Sequence, residues 1–276
     1  MTEMHYIMAT EWITAYLLLG AAVGFFAGLL GVGGGGIMVP VLTALFLAQQ
    51  FPAELSVHMA LATSMAAIIV TSFSSMRSHK QHGAILWPVV WKLTPAILIG
   101  TVAAAYLAAA LSSLALAIFF CCFMTYVAIQ MLLNIKPKAS RQLPGVIGFS
   151  GVGLVIGAVS ALVAIGGGSL TVPFLTWCNV KIQQAIGTSA AVGLPIAISG
   201  TLGYFLAGAS TNAVLPEYSF GYVYLPAMLL IASVSYFTAP LGAALAHRLP
   251  VATLKKVFAA LLIALSAKML HSVLTS

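Results

Sequence analysis

The stretch Gly28-Leu-Leu-Gly-Val-Gly-Gly-Gly-Gly-Ile-Met-Val-Pro-Val-Leu42 holds six glycines within nine residues, four of them consecutive. Glycine weakens a helix more than any residue except proline. A second stretch, Ser160-Ala-Leu-Val-Ala-Ile-Gly-Gly-Gly-Ser-Leu-Thr-Val-Pro-Phe-Leu175, repeats the pattern. Both sit in a chain of 276 residues that is 62% hydrophobic and 5% charged, with a mean hydropathy of +1.11. A soluble domain carries roughly 25% charged residues. The solvent of this chain is therefore lipid, and the glycine runs read as helix breaks inside a membrane.

Working outward, apolar runs bounded by charged or Gly/Pro/Asn punctuation predict ten segments. They are 12–31, 37–49, 55–76, 84–110, 113–134, 144–165, 170–179, 183–207, 220–246 and 252–273. The two that follow the glycines, 37–49 and 170–179, would be roughly 20 and 15 Å long, against a hydrocarbon core near 30 Å. The N-terminus lacks Lys or Arg and carries Glu3 and Glu11, which argues against a cleaved signal peptide. Arg77, Lys80, Lys136, Lys138, Arg141, Lys181, Arg248, Lys255 and Lys256 all fall on one side when crossings are counted, whereas Glu3, Glu11, Glu54 and Glu217 fall on the other. Basic loops stay cytoplasmic, so both termini are expected outside. A net charge of +7 thus serves orientation rather than nucleic acid.

The halves resemble each other. Residues 31–43 align with 164–176, matching Pro40 to Pro173 and Thr43 to Thr176. Thr63–Ser64 then aligns with Thr188–Ser189, although the first half has eight more residues between its proline and that pair, and Met131–Leu132 aligns with Met269–Leu270. Five segments per half is an odd number, so the second half enters from the opposite face. The expected fold is an all-α polytopic membrane protein of two inverted repeats with two half-length helices. It divides into an N-terminal extension (1–11), repeat 1 (12–135), a cytoplasmic linker (136–143) and repeat 2 (144–274). Inverted repeats with interrupted segments at matching positions are a common plan for secondary transporters, with substrate at the midplane.

The glycines Gly33, Gly34, Gly35 and Gly36, with Gly166, Gly167 and Gly168, free the backbone for positive φ and let a ligand approach peptide N–H groups. The following helix starts offer orphan donors and the positive end of a dipole, a ready anion site. Ser169, Thr63, Ser64, Thr188 and Ser189 are candidate hydroxyl donors, though such hydroxyls often bond back to a helical carbonyl. Pro40 and Pro173 are placed in or just after the first turn, where a missing N–H costs least. Gly24–Gly28 and Gly153–Gly157 read instead as small-residue packing positions.

These breaks, each with its proline and its trailing Thr–Ser element, resemble the TauE/SafE family of sulfite and organosulfonate exporters across nearly the whole chain. The resemblance implies carriage of a small sulfur-containing anion such as sulfite or a short sulfonate, commonly outward. The chain has no Asp, and its Glu residues map to the outer side. Export of an anion from a negative interior needs no carboxylate relay, since each charge gains about 2.3 kcal/mol per 100 mV. Proton- or sodium-coupled uptake is the alternative within transport, and a non-transporting membrane scaffold the alternative outside it.

The remaining chemistry is sparse. Lys92 either snorkels to the inner surface or draws anions into a vestibule. His58 reads as a histidine bonded to a neighbouring helix. Gly148-Phe-Ser-Gly151 has the form of a serine-protease motif without a histidine at matching depth, so no enzyme and no catalytic residue is expected. His79-Lys-Gln-His82 reads as a basic loop rather than a metal site. Cys121, Cys122 and Cys178 form no paired motif and read as packing residues. Trp12, Trp87, Trp91 and Trp177 read as interface anchors. The partners expected are a small anionic substrate and the lipid bilayer, with no nucleic acid, metal or cofactor; assembly into an oligomer is left open.

Overall fold

The computed structural model describes residues 10–31, 33–133, 142–211, 213–246 and 251–275. Over these the chain forms ten helices: α1 (Thr10–Leu30), α2 (Gly35–Ala48), α3 (Ala53–Gln81), α4 (Trp87–Ala109), α5 (Ser113–Leu132), α6 (Val146–Val163), α7 (Gly168–Trp177), α8 (Ile182–Ala209), α9 (Leu225–Ala246) and α10 (Val251–Thr275). Eight are long and apolar enough to cross a membrane; α2 and α7, with 14 and 10 residues, are not. The first nine residues and most of the expected linker lie outside the described residues.

Three boundaries depart from the sequence reading. Helix α3 runs to Gln81, so Arg77, His79 and Lys80 lie on its last turns rather than in a loop. Residues 219–224 form a two-stranded hairpin, β1 (Ser219–Phe220) with β2 (Val223–Tyr224), before α9 begins at Leu225. Gly221 turns it with φ +56° and packs on Phe205, while the Phe205 and Phe220 rings stack at 4.3 Å. The apolar run that suggested membrane helix from residue 220 is a packed plug beside Phe46, Phe51 and Tyr224. Burial pushes the Tyr224 phenol above its ordinary pKa, so it stays neutral. Finally, α2 and α7 each begin two residues earlier than expected, taking Gly35, Gly36 and Gly168 into the helix.

The main helix pairs are kept when α1–α5 are exchanged with α6–α10, although α2 also packs on α10 with no comparable contact between α7 and α5 among the described residues. Helix α1 packs on α9 as α6 packs on α4; α3 packs on α9 as α8 packs on α4; α2 lies on α3 as α7 lies on α8. The α3–α8 and α5–α10 contacts are their own counterparts. Glycines set the closest approaches. On α1, Gly20, Gly24 and Gly28 lie against the α9 backbone at Ile231, Ser235 and Ala239. On α6, Gly153 and Gly157 lie against α4 at Leu93 and Ile97, where added Cβ atoms would come within 2.9 and 2.5 Å of the carbonyl oxygens. Lipid offers helices no hydrophobic drive to associate, so close backbone packing must supply it.

The eight additional residues of the first half are divided between two helices. Helix α2 is four residues longer than α7, and Thr63 is the eleventh residue of α3 whereas Thr188 is the seventh of α8. Four residues are about one turn, so each helix keeps its face. The connecting turns match: Gln50 and Asn179 both have positive φ, and the Phe51 and Val180 amides bond Phe46 and Leu175 carbonyls at 2.9 and 3.0 Å.

Candidate anion site at two helix breaks

The two glycine runs meet. A Cβ on Gly33 would come within 2.6 Å of the Gly166 nitrogen and 2.7 Å of its Cα. A Cβ on Gly35 would overlap the Ala164 carbonyl. Gly33, Gly34 and Gly167 have φ of +78°, +81° and +79°, a region that side chains rarely adopt. Gly31 and Ala164, which end α1 and α6, are left-handed as well. The breaks sit beside Ile68, Gly193 and Ile196, near the midpoints of α3 and α8, the two longest helices.

Beyond the breaks, α2 and α7 start without a side-chain cap. The Ile37 and Met38 amides both bond the Gly34 carbonyl at 3.1 Å; the Leu170 and Thr171 amides bond that of Gly167 at 3.1 and 2.7 Å. Among the described residues the amides of Gly35, Gly36, Gly168 and Ser169 find no backbone acceptor. Ser169 and Thr171, in the first turn of α7, also have buried hydroxyls without partners, as does Ser64 on α3, four residues before Ile68. A buried polar group left unpaired is costly and uncommon, so a concentration of them at one place calls for a reason.

The Thr–Ser pairs divide by role. Thr63 Oγ1 accepts a 3.0 Å bond from the Tyr224 amide, and Thr188 Oγ1 a 2.9 Å bond from the Leu86 amide. Tyr224 and Leu86 immediately precede α9 and α4, so each threonine fastens the start of a helix from the other half. Ser189 donates to the Ile186 and Gly31 carbonyls at 2.8 and 3.2 Å, whereas Ser64 is unpartnered. The prolines correct one expectation. Pro40 and Pro173 are the sixth residues of their helices, so their missing N–H groups would otherwise have bonded Gly36 and Ser169 carbonyls. The breaks are made by left-handed glycines, not by proline at a helix start.

A crevice lined by Ala27, Gly31, Gly33, Thr71, Ser72, Ser75 and Ala190 reaches the first break but has no room for a water-sized molecule. Two side chains span equivalent places. His79 Nε2 lies 3.3 Å from the Gly28 carbonyl oxygen, and Tyr204 donates to the Ala161 carbonyl at 2.9 Å. His79 follows Thr63 by 16 residues as Tyr204 follows Thr188 by 16. The run Thr71-Ser-Phe-Ser-Ser75, all but Phe73 buried, is missing from the sequence reading. Its signal was present as a hydroxyl-rich stretch inside an otherwise apolar segment.

Other candidates lie away from the breaks. Lys92 is exposed on α4 with its ammonium 5.6 Å from the centre of the Phe149 ring, and it lines neither break. His58 is buried, its Nε2 within 3.1 and 3.0 Å of the Ala108 and Leu111 carbonyl oxygens, a join between α3 and the α4–α5 turn. Ser150 donates to Val146 of its own helix. Cys121 donates to the Ser266 carbonyl at 3.1 Å, joining α5 to α10.

An all-α bundle of long apolar helices, with two half-length helices starting from touching breaks beside the midpoints of the longest pair, is an architecture that membrane transporters use. The family described as "Sulfite exporter TauE/SafE" matches residues 16–269, and the chain belongs to that family. It is 41% identical to a probable membrane transporter protein of Haemophilus influenzae over 94% of this chain and 98% of that one. It is 25% identical to a probable membrane transporter protein of Methanocaldococcus jannaschii, covering 82% and 83%. A third, of Xylella fastidiosa, is 30% identical over 67% and 71%. No solved structure matches.

Proposed function

We propose that this chain is a secondary carrier that exports a small sulfur oxyanion, sulfite or a short organosulfonate, across the inner membrane. Its two halves, 12–135 and 144–274, act as inverted repeats with both termini outside. The anion is held where the breaks meet, by the amides of Gly33–Gly36 and Gly166–Ser169 and the hydroxyls of Ser64 and Ser169. Thr63 and Thr188 position those groups by fastening α9 and α4, and Ser189 ties the first break to α8.

The observation that carries this reading is a set of donors without partners among the described residues: four helix-start amides at the breaks, the buried hydroxyls of Ser169 and Thr171 beside them, and that of Ser64 on α3. An oxyanion accepts several such bonds at once, and bonds to charged groups are the strong ones. The breaks touch. Loading therefore requires them to part towards one face at a time. Basic residues beside the inner ends raise the local anion concentration, and the membrane potential supplies the outward drive.

Flux from proteoliposomes loaded in turn with sulfite, sulfoacetate, sulfate and chloride tests the assignment. Sulfite or sulfoacetate efflux should be fastest, rise with an outward-driving potential, and fall to the rate that the concentration gradient alone sustains when an ionophore removes that potential. Selective chloride flux, or efflux unaffected by potential, would refute the exporter reading.

A further inference from the structure

Helix α3 differs from its counterpart in one respect that the repeat does not require. Counting from Thr63 and Thr188, its Thr71, Ser72 and Ser75 correspond to Ile196, Ala197 and Gly200 of α8. The α3 residues are each no more than 3% exposed, and all three line the crevice that runs to Gly33. Thr71 bonds Ala67 and Ser235, but the Ser75 hydroxyl has no partner. The crevice lies on the C-terminal half of α3, towards Arg77 and Lys80, the end that the basic bias assigns to the cytoplasm. His79, on the same helical face about one turn beyond Ser75, reaches the Gly28 carbonyl of α1.

We propose that Thr71, Ser72 and Ser75, with the Gly31 and Gly33 backbone, form a second oxyanion station on the cytoplasmic side of the breaks. This rests on the carrier reading above. An anion that leaves water for an apolar interior must trade hydration for other donors at each step. Hydroxyls one turn apart provide that trade on the inner half of the route, and the apolar α8 face does not on the outer half. The station loads the breaks from the cytoplasm, and its single-sidedness favours outward transport. The ligand is the same class as at the breaks, a small oxyanion or sulfonate, recognised by neutral donors.

The test uses the full chain with Cys121, Cys122 and Cys178 changed to Ala, carrying Ser75→Cys or Ser72→Cys, in inside-out vesicles. The probes are an anionic sulfonatoethyl methanethiosulfonate and its cationic trimethylammonium counterpart. We expect the anionic reagent to modify both cysteines about tenfold faster than the cationic one. Sulfoacetate should slow the reaction, and Ala197→Cys should stay unmodified. No modification at either position, equal rates for the two reagents, or indifference to sulfoacetate would overturn the station. Sulfoacetate flux through the cysteine-free parent separates the two ideas. If that flux persists while Ser75→Cys and Ser72→Cys stay silent, the station alone fails; if sulfoacetate and sulfite flux are both absent, the carrier reading fails and takes the station with it.

Discussion

Thr63 and Ser64 are neighbours in sequence with opposite circumstances. Thr63 accepts the Tyr224 amide, while Ser64 is buried and unbonded. Thr63→Val should strand that amide and cost about 1–3 kcal/mol, read as a lower unfolding temperature in detergent, with Thr63→Ser restoring it. Ser64→Ala removes no bond that the protein makes, so its stability should hold or rise. Its affinity for sulfite should still fall about tenfold, one charge-assisted hydrogen bond's contribution. A shared loss of stability would deny the division of labour. The sequence offered both pairs as donors and had no means of separating them. The partners of Thr63 and Thr188 stand 161 and 102 residues away, and only the fold brings them close. The same limit hid Ser72 and Ser75, whose burial depends on how α1 and α8 cover α3.

Element lengths and breaks were the most legible features, because a membrane demands long apolar helices and glycine interrupts them visibly. The half-length α2 and α7 were anticipated, each displaced by two residues since glycine can also begin a helix. The hairpin at 219–224 was not anticipated; its Tyr–Ser–Phe–Gly–Tyr–Val–Tyr run has the hydropathy of a helix end. Packing glycines were read from spacing alone, and their consequence can be measured. Gly24→Leu would drive a side chain into the α9 backbone at Ser235 and should destabilise by about 3 kcal/mol or more. Gly151→Leu meets nothing within 4 Å and should leave expression and melting unchanged. Equal tolerance of both would mean that α1 and α9 do not pack as described. Tyr204→Phe should break the bond to Ala161 and raise access of water-soluble thiol reagents to Ala197→Cys from the outside. Unchanged access would show that the bond holds nothing shut.

For the whole molecule, two short motifs recur in the same order, and one added turn in each of two helices accounts for the eight extra residues of the first half. The pairing of α1 with α9 and of α6 with α4 was not legible, since identical hydrophobic faces in lipid leave partner choice to shape. The proposed site stands or falls on whether bare backbone amides at the breaks bind the anion. Glycine-selective 15N labelling, with assignment by single substitutions, reads those amides directly during a sulfite titration. Saturable downfield shifts are expected at Gly35, Gly36 and Gly168, with packing glycines such as Gly24 and Gly157 unmoved. Saturable binding or active transport of sulfite with none of those three amides shifting would contradict the site.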